Sequence, residues 1–68
     1  MSTRLKELYA MAYQQDLTSL EERLLNIAFN AVNLSELDHV IKNTQSVSIQ
    51  DYALCKLGVF ADKGMKRN

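Results

Sequence analysis

The single histidine and single cysteine of this 68-residue chain, His39 and Cys55, are its only pairing that could supply a base and a strong nucleophile. A working pair also needs a third residue to orient the imidazole and a loop of backbone donors for the developing oxyanion, and no residue pattern here supplies either. Asp38 is adjacent to His39, but neighbours at i and i+1 on a helix point apart and do not form a base with its orienter. One Cys and one His fall short of a zinc ligand set, and a lone Cys excludes an internal disulfide. Its apolar surroundings make Cys55 a small buried hydrophobe. Glu21, Glu22, Glu36 and Asp38 each fall near a helix start, where a carboxylate interacts favourably with the macrodipole. Gly58 and Gly64 lack the following helix-plus-Lys pattern of a phosphate cradle. The expectation is a non-enzymatic protein with no catalytic residue, metal or cofactor.

The elements that must position these residues are helical. The chain has no proline and two glycines, Leu and Ala recur throughout, and strand alternation is nowhere sustained. Leu5, Leu8, Tyr9, Ala12 and Tyr13 fall on one helical face, which predicts a first helix over Arg4 to Gln15, capped by Ser2 or Thr3. Thr18 with Glu21, or Ser19 with Glu22, forms a capping box for a second helix. That helix carries two apolar stripes: Leu20, Leu24, Ile27, Ala28 and Ala31 on one side, and Leu25, Phe29 and Val32 on the other. Together they cover an arc of about 200°, twice what a surface helix needs.

Asn33 with Glu36, or Ser35 with Asp38, starts a short third helix over Leu34 to Asn43, which buries Leu34, Leu37, Val40 and Ile41. Ser48 with Asp51, flanked by Val47 and Tyr52 at staple spacing, predicts the start of a fourth that buries Ile49, Tyr52, Ala53 and Leu57. Its end is open: Gly58 either closes a Schellman motif, with Leu54 against Val59, or lies inside a helix running to Lys63 and marks a close crossing. The fold expected is all-α, a compact bundle of about four short helices, with residues 1–64 forming one domain and 65–68 a basic tail.

Charge totals zero, but it is unevenly placed. Residues 16–38 carry a net charge of −4 and residues 63–68 carry Lys63, Lys66 and Arg67. These three cations could make electrostatic contact with a partner, or simply follow the last helix and interact favourably with its dipole. Residues 37–57 have the size of a helix-turn-helix, with Gln50 and Lys56 on the helix that would contact DNA. Lys42 and Ser46 stand where that motif favours a small residue and Gly, and only one cation would face the phosphates. Asn33-Leu34-Ser35-Glu36-Leu37-Asp38-His39-Val40-Ile41-Lys42-Asn43 resembles the second helix of the Hha/YmoA family of small helical nucleoid-associated regulators. The resemblance ends there: that family's acidic second half and aromatic C-terminal anchor have no counterpart here.

A composition 47% hydrophobic and 24% charged predicts a folded chain. No apolar run approaches the 18 or so residues of a membrane span, and no hydrophobic core follows the N-terminal charges, so a cytoplasmic protein is expected. Below about 70–80 residues a core rarely supplies more than 3–5 kcal/mol, so extra buried surface is expected from homodimerisation. The stripe Leu25, Phe29 and Val32 is the candidate surface, for a second copy or for a foreign protein. The function expected is therefore a small regulatory or inhibitory protein acting by protein–protein binding. The alternative is a small DNA-binding transcriptional or nucleoid regulator using residues 37–57 and the basic tail.

Overall fold

The computed structural model describes residues 3–62 and 64, which form four helices with no strand among them. These are α1 (Thr3–Tyr13), α2 (Ser19–Asn30), α3 (Leu34–Asn43) and α4 (Val47–Asp62). The radius of gyration is 11.0 Å, the value of about 11 Å that a fully compact chain of this length adopts. No helix among the described residues is long and apolar enough to cross a membrane. Ser2, Lys63 and residues 65–68, including Lys66 and Arg67, lie outside the described residues.

The starts of α2, α3 and α4 each follow from a capping side chain. Thr18 Oγ1 accepts the Glu21 N–H and opens α2, so the first of the two predicted boxes forms, without the return bond. Asn33 Oδ1 accepts the Glu36 N–H and opens α3, while Glu36 Oε1 accepts the N–H of Val32, one residue before the cap. The fourth helix starts two residues earlier than its predicted box. Ser46, not Ser48, accepts the Ile49 N–H, because the Ser48 hydroxyl is engaged elsewhere, accepting from Gln15 Nε2 at 2.9 Å. Beginning at Val47 aligns Ile49, Tyr52, Ala53 and Lys56 at i, i+3, i+4 and i+7, and all four are buried.

Gly58 does not end α4, which continues through Phe60 to Asp62. Nor does it mark a crossing within the chain, since a Cβ built there meets nothing within 4 Å. Gly64 has φ +79° and donates to the Ala61 carbonyl, so the left-handed cap comes there instead.

The core is drawn from all four helices: Leu5, Leu8 and Ala12, then Leu24, Leu25 and Ala28, then Leu37 and Val40, then Ile49, Tyr52 and Ala53. The core-facing direction of α2 bisects its two predicted stripes. Leu25 turns fully inward at 1% exposure, whereas Leu20, in the first turn, and Phe29 are exposed. Ile41 and Leu57 pack against the core only in part.

At one end of the bundle, two loops are tied by polar side chains. Glu21 accepts the Thr44 hydroxyl through one oxygen and the Gln45 N–H through the other, at 3.0 Å. Gln15 accepts from Ser46 Oγ while donating to Ser48. Glu21→Gln keeps the shape but replaces one acceptor with a donor, and should cost about 1–2 kcal/mol for the lost charge-assisted bond. Urea denaturation midpoints measure this, and a change within about 0.3 kcal/mol would mean that the bridge contributes nothing measurable.

Candidate functional site

The only charged side chain buried among the described residues is Lys56, 7% exposed on the inner face of α4. Its position answers a deficit in α2, which has no cation in its last turn. The last carbonyls of a helix lack intrahelical partners and carry the negative pole of its dipole. Lys56 Nζ donates to the Ala28 carbonyl at 2.8 Å and to the Phe29 carbonyl at 2.6 Å. Asn30 Nδ2 donates to the Asn26 carbonyl, and the Ala31 N–H also reaches Ala28. An ammonium from α4 thus closes the C-terminus of α2 and locks the two helices together.

The same ammonium lies 5.9 Å from the centre of the Phe29 ring and 5.5 Å from that of Phe60, within cation–π range. Burial pushes its pKa below the ordinary lysine value, and the negative charge of Glu36 opposes that shift. The folded protein therefore releases this proton at a lower pH than the unfolded chain does. Between the lowered folded pKa and 10.5 the unfolded state binds more protons, so this group makes stability rise with pH. Burial, then Tyr9 and Cys55, raise the pKa of Tyr52, whose contribution is lost as pH climbs through the raised value. Comparing wild type with Lys56→Met cancels the Tyr52 effect. The stability difference, wild type minus variant, should grow as pH rises through the Lys56 window, and a constant difference would contradict a lowered pKa.

Above this ammonium the surface is aromatic. The Phe29 ring stands 4.7 Å from that of Tyr9, which stacks at 5.9 Å on Tyr13 and meets the buried Tyr52 edge-on at 5.6 Å. Phe29 is 46% exposed and Tyr13 63%, so a line of rings runs from the core to solvent. Val32, at 69% exposure, follows just beyond the end of α2.

The predicted stripe of Leu25, Phe29 and Val32 is therefore divided. Leu25 belongs to the core and presents no surface, because it lies on the inward side of α2. Val32 lies past the helix end, so it does not prolong a helical stripe. Lys56 is likewise turned away from the surface that a DNA-reading helix would present, and its ammonium already serves two backbone carbonyls. Gln50 is half-buried, and Lys63, Lys66 and Arg67 lie outside the described residues. Tyr9 and Tyr13 share the predicted helical face with Leu5, Leu8 and Ala12, and the contact of the Tyr9 ring with Phe29 has no local signal in the sequence.

The chemical candidates are dispersed. His39 Nδ1 lies 3.4 Å from Asn43 Nδ2 on the exposed side of α3, while Cys55 is a half-buried free thiol on α4. No group of three or more His, Cys, Asp or Glu among the described residues is placed to hold a metal ion. A cleft of about 400 Å³ opens between the loops that flank α2 and α4, lined by residues including Gln15, Thr18, Glu21 and Gln45. Its polar groups are the ones that tie those loops together. The aromatic face around Phe29 thus stands as the candidate site. Comparison with known proteins found no family model, no curated protein and no solved structure that matches this chain.

Proposed function

We propose that this protein acts without chemistry of its own, as a small regulatory or inhibitory module that binds another protein through the face formed by Tyr9, Tyr13 and Phe29. The supporting observation is the state of Phe29: a large ring in solvent contact, 4.7 Å from the Tyr9 ring and 5.9 Å from the Lys56 ammonium. A rigid, half-exposed aromatic is a low-entropy anchor, since its ordering is complete before binding, and such residues dominate interface energies.

Capture from cell extract by the immobilised chain tests this reading. The expected result is a discrete protein that stays bound after nuclease treatment and whose retention changes little with added salt, since apolar contacts are not screened. Retention that disappears with nuclease, or falls steeply with salt as phosphate contacts do, would replace this reading with nucleic-acid binding.

A further inference from the structure

Phe29 is the penultimate residue of α2, in the turn where a helix runs out of backbone partners. The chain leaves the helix at Ala31, whose φ −59° and ψ 135° are extended, so no further helical turn supports Phe29 from beyond. The Ala31 N–H goes to the Ala28 carbonyl at 3.3 Å and the Val32 N–H to Glu36 Oε1 at 2.9 Å. Neither serves the carbonyl of Phe29. That oxygen accepts from Lys56 Nζ at 2.6 Å, the shorter of the two bonds that the ammonium makes. The corner between α2 and α3 is thus fastened by two opposite charges, Lys56 on the last carbonyls of α2 and Glu36 on the N–H just before α3.

We propose that Lys56 is the positioning residue of the aromatic face: its bond to the Phe29 carbonyl fixes the last turn of α2, and with it the place where the Phe29 ring meets Tyr9 and solvent. The effect is local, because the two carbonyls answer differently when the ammonium is removed. Ala28 keeps the Ala31 N–H. Phe29 loses its donor, and its oxygen, in a site that is only part-buried, turns to water instead. Because the peptide unit is planar, turning that oxygen also turns the Asn30 N–H out of its helical bond. The last turn then unwinds around Phe29, and the ring leaves its place 4.7 Å from Tyr9. A ring that has lost its place must be ordered again when it binds, which costs affinity while the fold survives. That consequence for binding rests on the reading of Phe29 as the anchor, whereas the behaviour of the turn does not.

Amide hydrogen exchange and proton NOE spectroscopy on the full chain, wild type beside Lys56→Met and with no partner present, test it. Wild type should show protected Phe29 and Asn30 amides and a cross-peak between the Tyr9 and Phe29 rings. In Lys56→Met those two amides should exchange at least about tenfold faster relative to the Leu24 and Leu25 amides in the middle of the same helix, a ratio that cancels any change in global stability. The ring cross-peak should weaken or vanish while those among core side chains persist. An unchanged ratio with an unchanged cross-peak would overturn the proposal, as would a wild type whose last turn is already unprotected. A Lys56→Met chain that no longer folds would overturn it too, by showing that the ammonium serves the whole joint rather than the turn. Since no partner takes part, these outcomes stand apart from capture by Phe29, which fails or succeeds on its own test.

Discussion

Lys56→Glu should leave the chain unfolded at 25 °C, read as loss of helical circular dichroism and of any cooperative melting transition. The substitution reverses every interaction at the joint between α2 and α4. A carboxylate would face the Ala28 and Phe29 carbonyl oxygens, which now accept from the ammonium at 2.8 and 2.6 Å. It would sit at the negative pole of α2, beside the negative charge of Glu36, in a site that is 7% exposed. An uncompensated buried charge costs roughly 3–5 kcal/mol, which equals the whole stability expected of a core this small. Lys56→Met serves as the control. It keeps the apolar stem against Phe29 and Phe60 while removing both the hydrogen bonds and the burden of burying a charge, two effects of opposite sign. Matched apolar replacements of buried charges are frequently close to neutral, so a change within about 1 kcal/mol at pH 7 is expected. A folded Lys56→Glu variant would show that the ammonium is not what joins the two helices.

Phe29→Ala should separate folding from function. The ring is about half exposed, so its removal forfeits only part of its packing, on Tyr9 and on the Lys56 ammonium. A cost of about 1–2 kcal/mol is expected, against the 3–5 kcal/mol typical of a fully buried Phe. Partner affinity should fall much further. Truncating a central aromatic anchor typically costs 2 kcal/mol or more, at least about a thirtyfold loss. The loss should appear mainly in the dissociation rate, as it does for most variants within one interface. Equal losses in stability and in affinity would make Phe29 a core residue that happens to be visible.

The sequence made the helices legible wherever the controlling interaction was local. Thr18 with the Glu21 N–H and Asn33 with the Glu36 N–H both cap as the three-residue spacing predicts. Where a side chain was claimed by a distant partner, the local reading slipped. Ser48 accepts from Gln15, thirty-three residues away, so the cap fell to Ser46 and the helix began earlier. Glu21 turned from its own helix to Thr44 and Gln45 for the same reason.

The division of Leu25 from Phe29 also lay beyond periodicity. An apolar arc this wide leaves the inward direction undetermined, and only the placement of α1, α3 and α4 selects it. Lys56 is an instructive miss, because its signal was present: it continues the spacing of Ile49, Tyr52 and Ala53 onto the core face. Its charge argued for the surface, and the absence of a cation in the last turn of α2 was the missing reason to bring it inside.

The most direct measurement of the central claim is the affinity of the captured partner for three chains side by side: wild type, Phe29→Ala, and Val47→Ser, each verified as folded by circular dichroism. Val47 is more exposed than Phe29 but lies at the start of α4, with no part in the aromatic line, so it controls for indiscriminate apolar adhesion. The account predicts that Val47→Ser binds within about twofold of wild type while Phe29→Ala binds at least about thirtyfold more weakly. Equal binding by all three folded chains would contradict it, and would place the functional surface elsewhere on the molecule.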